Sequence, residues 1–243
     1  MSLKIAPVLG ALSTGFYKKV FRLSSASNVS LETKNTLHSN GHIVILIVGP
    51  FASGKDTIVN KLMQDSSLEI AKPVRYTTRG KRDKEIDGKD YHFVSKEVFE
   101  ETKDNGEFIQ ADDYGYCYGT SIKSLQDLFD DKKDAIFSIG CDDAEKLKIE
   151  LIKNRASYVE IFISPVSKEI LSQPGGVDKA MEILEKRMSE RGRDPDYELR
   201  VVKSRRWLSN ANNYTHIIKN PDGGLNQTLE DVIDLINNKK SEH

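Results

Sequence analysis

At Gly49–Thr57 the sequence is GPFASGKDT, a glycine-rich stretch that separates two segments of different character. The residues before it, Ile43–Val48, form an apolar run typical of a fully buried strand. Those after it, Thr57–Met63, place apolar side chains on one face of a helix. In a strand–turn–helix unit of this kind, the turn aims backbone N–H groups at phosphate oxygens and the helix contributes its positive N-terminus. The sequence therefore predicts a phosphate-binding loop.

Within this loop, Lys55 is expected to reach the β- and γ-phosphates of a nucleotide as a point charge. The pattern G-x-x-x-x-G-K-[ST] requires a hydroxyl at the next position, where it holds Mg²⁺, but the residue here is Asp56. Carboxylates are good magnesium ligands, so we expect Asp56 to take the hydroxyl's place. The residues predicted to form the phosphate cradle are Gly49, Ala52, Ser53, Gly54, Lys55, Asp56 and Thr57. The alternative is a glycine-rich turn that binds no ligand.

Length and composition limit the classes to which the chain can belong. Its 243 residues are enough for one large core with small appendages. The net charge is −1, from 36 basic and 37 acidic residues, which argues against bulk nucleic-acid binding. The apolar runs are too short to cross a bilayer, so no membrane partner is expected. Two cysteines, Cys117 and Cys141, are too few for a disulfide framework or a four-cysteine zinc site, and a reducing compartment is the simpler assumption.

Residues 1–40 differ in composition from the remainder of the chain. Before Glu32 there is no acidic residue, whereas there are six serines and four basic residues. This composition is typical of a mitochondrial or plastid transit peptide, and the alternative is a disordered or loosely helical extension. The expected location is the mitochondrial or plastid matrix if the extension is a transit peptide, and the cytoplasm otherwise.

From His42 onward, short apolar strands alternate with amphipathic helices, which predicts an α/β fold with a three-layer parallel sheet core. The predicted core strands lie near 43–48, 134–140, 157–163 and 214–218. The predicted helices of the core lie near 55–65, 142–154, 176–191, 197–211 and 227–238. Residues 72–126 interrupt this alternation with shorter strands and one helix. We interpret them as a small mixed subdomain inserted into the core (41–71 and 127–240).

Further segments carry basic, aromatic and glycine residues that suit an anionic ligand. Arg75–Arg82 has three arginines beside two threonines, which form either a bidentate anion clamp or a solvated basic turn. Tyr91 follows a polar turn, and the glycines of Gly115–Ser121 allow close approach of backbone to a ligand. Arg187–Asp194 ends a predicted helix with arginines around Gly192, as a lid over a transferring phosphate would need. Ordinary capping of the helix C-terminus is the alternative.

In this order, the segments resemble the guanylate kinase family over about residues 43–238. The matching motifs are Gly-Pro-x-x-x-Gly-Lys from Gly49, Thr77-Thr78-Arg79-x-x-Arg82, Asp87–Ser95, Gly106–Ile109, Tyr118–Ser121 and Arg191-Gly192. The resemblance implies a P-loop core, an acceptor-binding insert at 72–126 and a lid at about 187–200. It further implies an enzyme that transfers the γ-phosphate of ATP, with Mg²⁺, to the phosphate of GMP or dGMP, giving GDP or dGDP.

The resemblance also implies roles for single residues. The side chains expected to hold the acceptor phosphate are Arg79, Arg82, Tyr91 and Tyr118. The catalytic set, expected to neutralise charge on ATP and on the transferring group, is Lys55, Arg187, Arg191 and Arg193. Asn220 begins a loop that would lie near the adenine of ATP.

The sequence departs from the family where the family recognises guanine. Gln110 occupies the position of a base-binding glutamate, and Arg75 that of a small hydroxyl residue. Ser138 and Gly140 occupy the positions of two aspartates at a strand end. An amide offers one acceptor oxygen where guanine presents two donors, and such a buried mismatch typically costs about 1–3 kcal/mol. The expected acceptor-binding residues are Arg75, Arg79, Arg82, Tyr91, Gln110, Tyr118 and Thr120.

The same departures resemble the ribose 1,5-bisphosphate phosphokinases, which share Gly-Lys-Asp in the phosphate loop and Arg-Gly-Arg in the lid. These motifs correspond to Gly54–Asp56 and Arg191–Arg193. A sugar bisphosphate has no base, so lost carboxylates and an added arginine suit it, and the product would be phosphoribosyl diphosphate. A further alternative is a catalytically weak interaction module of the guanylate kinase type. The presence of Lys55 and the lid arginines favours catalysis, with either GMP or a sugar bisphosphate as acceptor, and the sequence makes no prediction of oligomeric state.

Overall fold

The computed structural model describes residues 37–113, 115–190, 192 and 195–242. Its central element is strand β1 (Val44–Val48), in which every residue is buried. Because strand side chains alternate, β1 contributes apolar side chains to both faces of its sheet, and helices cover each face. This arrangement confirms the predicted α/β fold with a parallel sheet between two helical layers.

Five parallel strands form the first sheet, in the order β2-β7-β1-β8-β9. Besides β1, these strands are β2 (Ile70–Ala71), β7 (Asp134–Ile139), β8 (Tyr158–Ser164) and β9 (His216–Lys219). The four core strands predicted from the sequence are present, and their ends lie within two residues of the expected ends. The sequence does not predict the edge strand β2, because two residues are too few to show a periodic pattern.

The helices cover the first sheet on both faces and support the second sheet. They are α1 (Lys55–Leu62), α2 (Lys96–Asp104), α3 (Ile122–Asp130), α4 (Cys141–Lys153), α5 (Lys168–Leu171), α6 (Gly176–Glu190), α7 (Tyr197–Ser209) and α8 (Leu225–Ser241). Neither α3 nor the short α5 is among the predicted helices. In α3, however, the buried residues Ile122, Leu125 and Phe129 recur at helical spacing, so the signal for this helix is present in the sequence.

The second sheet has four strands of mixed direction, in the order β4-β3-β6-β5. These strands are β3 (Arg75–Thr77), β4 (Tyr91–Phe93), β5 (Phe108–Asp113) and β6 (Cys117–Ser121). All of them lie within 72–126, the segment expected to form an inserted subdomain. Helix α3 follows β6 directly and packs on β7, so it joins the second sheet to the core across the expected boundary at residue 126.

In the described ranges, no helix combines the length and the apolar character needed to cross a bilayer. Residues 1–36, on which the transit-peptide prediction mainly depends, lie outside the described residues.

Candidate functional site: the cleft between the phosphate loop and the second sheet

The phosphate loop connects β1 to α1, and its backbone has positive φ at Gly49 (143°), Ala52 (59°) and Gly54 (96°). A β-carbon on Gly49 would lie 2.5 Å from the carbonyl oxygen of Ile163, and one on Gly54 would overlap Nδ2 of Asn220. Both positions therefore require glycine, for their φ and for their close neighbours. The glycine spacing of the motif thus has a direct steric cause.

Lys55 is the first residue of α1, and its Nζ donates a hydrogen bond to the carbonyl oxygen of Pro50, 2.8 Å away. The ammonium group is therefore held against the loop, where a phosphate oxygen could replace the carbonyl as its acceptor. The Ser53 hydroxyl is buried and, among the described residues, has no hydrogen-bond partner. Thr57 is exposed on the first turn of α1.

Arg187, near the end of α6, is anchored beside the phosphate loop. Its Nη2 donates to the backbone oxygen of Asn220 (2.9 Å), and its Nε donates to Oδ1 of Asp222 (2.9 Å). The Asn220 side chain in turn donates from Nδ2 to the backbone oxygen of Ser53 (2.8 Å). These contacts tie the end of α6 and the loop after β9 to the phosphate loop.

Asp56 accepts a hydrogen bond of 2.6 Å from the hydroxyl of Ser138. Ser138 lies near the carboxyl end of β7, paired in register with Ile47 of β1. In P-loop enzymes a hydroxyl on the loop and a carboxylate on a neighbouring strand hold Mg²⁺. Here the carboxylate is on the loop and the hydroxyl on the strand, so the two groups have exchanged positions. The donor set of oxygen atoms still suits Mg²⁺.

Two cavities meet at Asp56. The first, of about 370 Å³, is lined by Asp56 and Ser138 from the core and by Arg75 and Tyr91 from the second sheet. The second, of about 250 Å³, is lined by Asp56, by Lys55 and by residues of α6 and α7. Ligands in the two cavities would therefore both lie beside Asp56, near the start of α1.

Arg79 is held on the second sheet by a bidentate pair with Glu85, at 2.7 and 3.0 Å. Because of this pairing with Arg79, the pKa of Glu85 is lower than usual. The guanidinium carbon lies 5.6 Å from the ring centre of Tyr91 and 5.7 Å from that of Phe93. The rings of Tyr91 and Tyr118 meet edge-on at 6.1 Å. One arginine and two tyrosine side chains thus lie together and could form a clamp for an anion.

Gln110 and Thr120 pair across β5 and β6, and both are buried. Gln110 donates from Nε2 to Oδ2 of Asp112 (2.9 Å), and a guanidinium nitrogen of Arg75 lies 3.6 Å from the same oxygen. Burial raises the pKa of Asp112, and the charge of Asp143 raises it further. Sequence reasoning missed Asp112, although it lies two residues after Gln110 and hence on the same face of the strand.

The guanylate kinase family model matches residues 41–239 of the chain. The guanylate kinase of Chromobacterium violaceum is 33% identical over 185 residues, which cover 74% of this chain and 78% of that protein. The guanylate kinase of Nitratidesulfovibrio vulgaris is 34% identical over 183 residues, covering 74% of this chain and 80% of that protein. The chain belongs to the guanylate kinase family.

The solved structures include a similar fold. A crystal structure of guanylate kinase from Anaplasma phagocytophilum superposes on this member of the guanylate kinase family with a TM-score of 0.54 at 25% sequence identity. The match covers 84% of this chain and 88% of that one. The family predicted from the ordered motifs is therefore confirmed.

Of the residues predicted for the site of this guanylate kinase family member, the two cavities are lined by Ala52, Lys55, Asp56, Arg75 and Tyr91. Arg82, by contrast, lies on an exposed turn and contacts Glu85 through its backbone N–H (2.9 Å). Arg191 and Arg193 lie outside the described residues. Sequence reasoning did not identify Glu85, and it named Ser138 only as a departure at a strand end. The contacts of these residues with Arg79 and Asp56 depend on the folded arrangement rather than on a sequence motif.

Proposed function

We propose that this protein transfers the γ-phosphate of ATP to the phosphate of GMP or dGMP, giving ADP and GDP or dGDP. The observation that carries the proposal is the junction of two cavities at Asp56, one beside Lys55 and the other beside Arg75 and Tyr91. Membership of the guanylate kinase family supports the same reaction, since the relatives described above are named guanylate kinases.

The proposed transfer is direct. An oxygen of the acceptor phosphate forms a bond to the γ-phosphorus of ATP while the bond to the bridging oxygen of ADP breaks, so no protein nucleophile is required. Lys55 would exchange the Pro50 carbonyl for the β- and γ-phosphates. On the other side, Arg79 with Tyr91 and Tyr118 would hold the acceptor phosphate in line. The chain contributes position and positive charge rather than covalent chemistry.

Mg²⁺ would be held by Asp56 and Ser138 together with the nucleotide. The bound ion supplies charge neutralisation on the β- and γ-phosphates. The 2.6 Å contact between the two side chains supports this assignment, because it places a carboxylate and a hydroxyl side by side at the start of α1.

The end of α6 is proposed to act as a lid that carries Arg187, Arg191 and Arg193 towards the transferring phosphate. Two observations support this role. Arg187 already lies beside the phosphate loop, and Gly192 has a φ of 86°, a conformation that suits a change of chain direction. On nucleotide binding, Arg187 would exchange Asp222 for a phosphate oxygen.

The acceptor is tested by a coupled assay with ATP and Mg²⁺ against GMP, dGMP, AMP and ribose 1,5-bisphosphate. We expect turnover with GMP and dGMP to exceed turnover with AMP. Arg75 and Gly140 favour the second candidate, a ribose 1,5-bisphosphate phosphokinase. Turnover of the sugar bisphosphate with GMP inert would establish that candidate and contradict our proposal.

An interaction module without turnover is distinguished by a thermal shift. ATP with Mg²⁺ at 100 times its dissociation constant should add roughly 2.7 kcal/mol to the free energy of unfolding. We expect Tm to rise accordingly. An unchanged Tm, with no turnover of any acceptor, would support the interaction module instead.

For the location of the protein, we propose import into a mitochondrial or plastid matrix. The absence of acidic residues before Glu32 supports this proposal. N-terminal sequencing of the protein from its native cell should find the extension removed. An intact N-terminus would favour the cytoplasm.

A further inference from the structure

A buried polar cluster lies on β5, one strand beyond the phosphate clamp. Its centre is Asp112, whose side chain is 4% exposed. Oδ2 of Asp112 accepts a hydrogen bond from Gln110 (2.9 Å) and lies 3.6 Å from Arg75. Oδ1 lies 3.5 Å from Nζ of Lys146, which is on α4. The carboxylate of Asp143, on the same helix, is close enough for its charge to act on Asp112. The cluster thus combines two carboxylates, two cations and one amide.

Several atoms of this cluster are buried but unmatched. Within the described part of the chain, Nε of Arg75, Oε1 of Gln110 and Oγ1 of Thr120 have no hydrogen-bond partner. Buried polar atoms in native proteins are nearly always paired, so a concentration of unpaired ones at one place points to a missing partner. The unpaired atoms include a hydrogen-bond donor and a hydrogen-bond acceptor. This indicates a partner that also has both donors and acceptors.

The cluster lies next to the place where the acceptor phosphate would bind. Asp112 pairs in register with Tyr118, a residue of the phosphate clamp. The guanidinium carbon of Arg75 lies 5.7 Å from the ring centre of the same tyrosine. Arg75 and Asp112 are therefore within reach of the base of a nucleotide whose phosphate contacts the clamp.

We propose that Asp112 recognises the guanine base of the acceptor, an inference that rests on the proposed function. Guanine presents donors at N1 and at its exocyclic amine, beside the acceptors O6 and N7. The Asp112 carboxylate can accept from the two donors, while Arg75 can donate to the acceptors. Adenine lacks the donor at N1 and carries an amine in place of O6. Entry of the base would displace the ammonium of Lys146, whose side chain is 63% exposed.

This assignment accounts for the departures from the family pattern. The glutamate expected at Gln110 is replaced by an aspartate two residues later on the same face of β5. The aspartate expected at Gly140 is replaced by Asp143 on the first turn of α4, whose Oδ2 would be 3.9 Å from a β-carbon on Gly140. The carboxylates have moved along the chain rather than disappeared.

A comparison of GMP with IMP tests the proposal, because IMP lacks only the exocyclic amine. The full-length chain and its Asp112→Asn variant are assayed with ATP and Mg²⁺ for kcat/KM on both acceptors. We expect the variant to lower kcat/KM for GMP about 100-fold and to lower the ratio of GMP to IMP about tenfold, since a site built for a donor loses its discrimination when its acceptor is weakened. Asp113→Asn, the next and exposed residue of β5, is the matched control and should leave the ratio unchanged.

Two outcomes would overturn the proposal in different ways. An unchanged ratio of GMP to IMP in Asp112→Asn would show that Asp112 is structural, while GMP turnover by the parent chain would still support the proposed function. If the parent chain turns over neither GMP nor IMP, the proposed function fails and this inference fails with it.

The Gln110→Glu variant gives an independent test that does not require Asp112→Asn to fold. If Asp112 recognises the base, a glutamate at 110 sets a second carboxylate against it, and kcat/KM for GMP should fall. If position 110 recognises the base as in the family pattern, GMP use should improve. An improvement over the parent chain would therefore overturn the assignment of Asp112.

Discussion

The phosphate loop and the polar cluster on β5 present different parts of the chain to a ligand. The loop presents backbone N–H groups, and its shape is set by Gly49 and Gly54. The cluster presents side chains, with Asp112 and Gln110 in hydrogen-bond contact. Because backbone donors do not depend on residue type, the loop can exchange a side chain without changing what it binds. A changed side chain in the cluster alters the pattern of donors and acceptors that a ligand meets.

The departures from the family pattern differ in kind between the phosphate loop and the β5 cluster. At the loop, Asp56 and Ser138 have exchanged a carboxylate and a hydroxyl while keeping them 2.6 Å apart. At the base end, Gln110 and Gly140 stand where the family pattern has carboxylates, and their proposed replacements are Asp112 and Asp143. Substitutions on the two sides should therefore have effects of different kinds.

The largest effect is expected on the donor side, from removal of the loop's one cationic side chain. Lys55→Ala should lower kcat roughly 10²–10³-fold, because charge that develops on the phosphates loses a positioned donor. Steady-state kinetics with GMP and dGMP measure this loss. Lys61→Ala, an exposed position on the last turn of α1, is the control and should leave kcat unchanged. A loss of only a few-fold in Lys55→Ala would mean that the backbone N–H groups of the loop are sufficient to stabilise the charge on the ATP phosphates.

On the acceptor side, a smaller effect of another kind is expected. Arg79→Lys replaces a planar bidentate donor by a point charge, and KM for GMP should rise roughly 10–100-fold with a lesser change in kcat. Lys81→Ala, in the same exposed turn, should leave KM unchanged. A fall in kcat at constant KM would instead show that Arg79 contacts the transferring phosphate. The donor and acceptor sides would then not have separate roles.

The proposed exchange of the Mg²⁺ ligands can be reversed. Asp56→Ser leaves two hydroxyls and no charged ligand, so it should weaken Mn²⁺ binding to the ATP complex roughly tenfold, as measured by electron paramagnetic resonance. Adding Ser138→Asp to this variant restores one group of each type and should return Mn²⁺ binding to within about threefold of the parent chain. A double variant that binds Mn²⁺ as weakly as Asp56→Ser would show that the two positions are not equivalent.

The smallest expected effect is on stability in the β5 cluster. Burial and then the charge of Asp143 raise the pKa of Asp112, while Lys146 and Arg75 oppose that shift. A carboxyl group with a raised pKa binds its proton more tightly in the folded state. Its contribution to stability is therefore most favourable at low pH and is lost as pH rises through the folded-state pKa. The Tm of Asp112→Asn, relative to the parent chain, should therefore increase as pH rises from acidic to neutral values.

Thermal melts of both proteins across this pH range provide the measurement. Asp113→Asn serves as the reference, because Asp113 is exposed on the same strand. A Tm difference that is constant with pH, or that decreases, would contradict a raised pKa at Asp112.

The core and the family were predictable because their signals are local in the chain. The run Ile43–Val48 and the spacing of Gly49 and Gly54 are sufficient to predict a strand and a phosphate loop. The two-residue strand β2 and the helix α3 were missed, since the first is too short to show a period and the second was included in the inserted segment. Contacts such as that between Arg187 and Asp222 join residues far apart in sequence, and no local pattern indicates them.

The sequence by itself determined the α/β core, the position of the phosphate loop and the family, because hydrophobic periodicity and glycine spacing are properties of neighbouring residues. Only the tertiary structure decided that Ser138 contacts Asp56 and that Asp112 is buried between Arg75 and Lys146. These pairs form where strands of different sheets and helices meet, and their energies depend on distance and burial in the folded chain. In the proposed base site, carboxylates from positions outside the family motif take the place of those absent at Gln110 and Gly140.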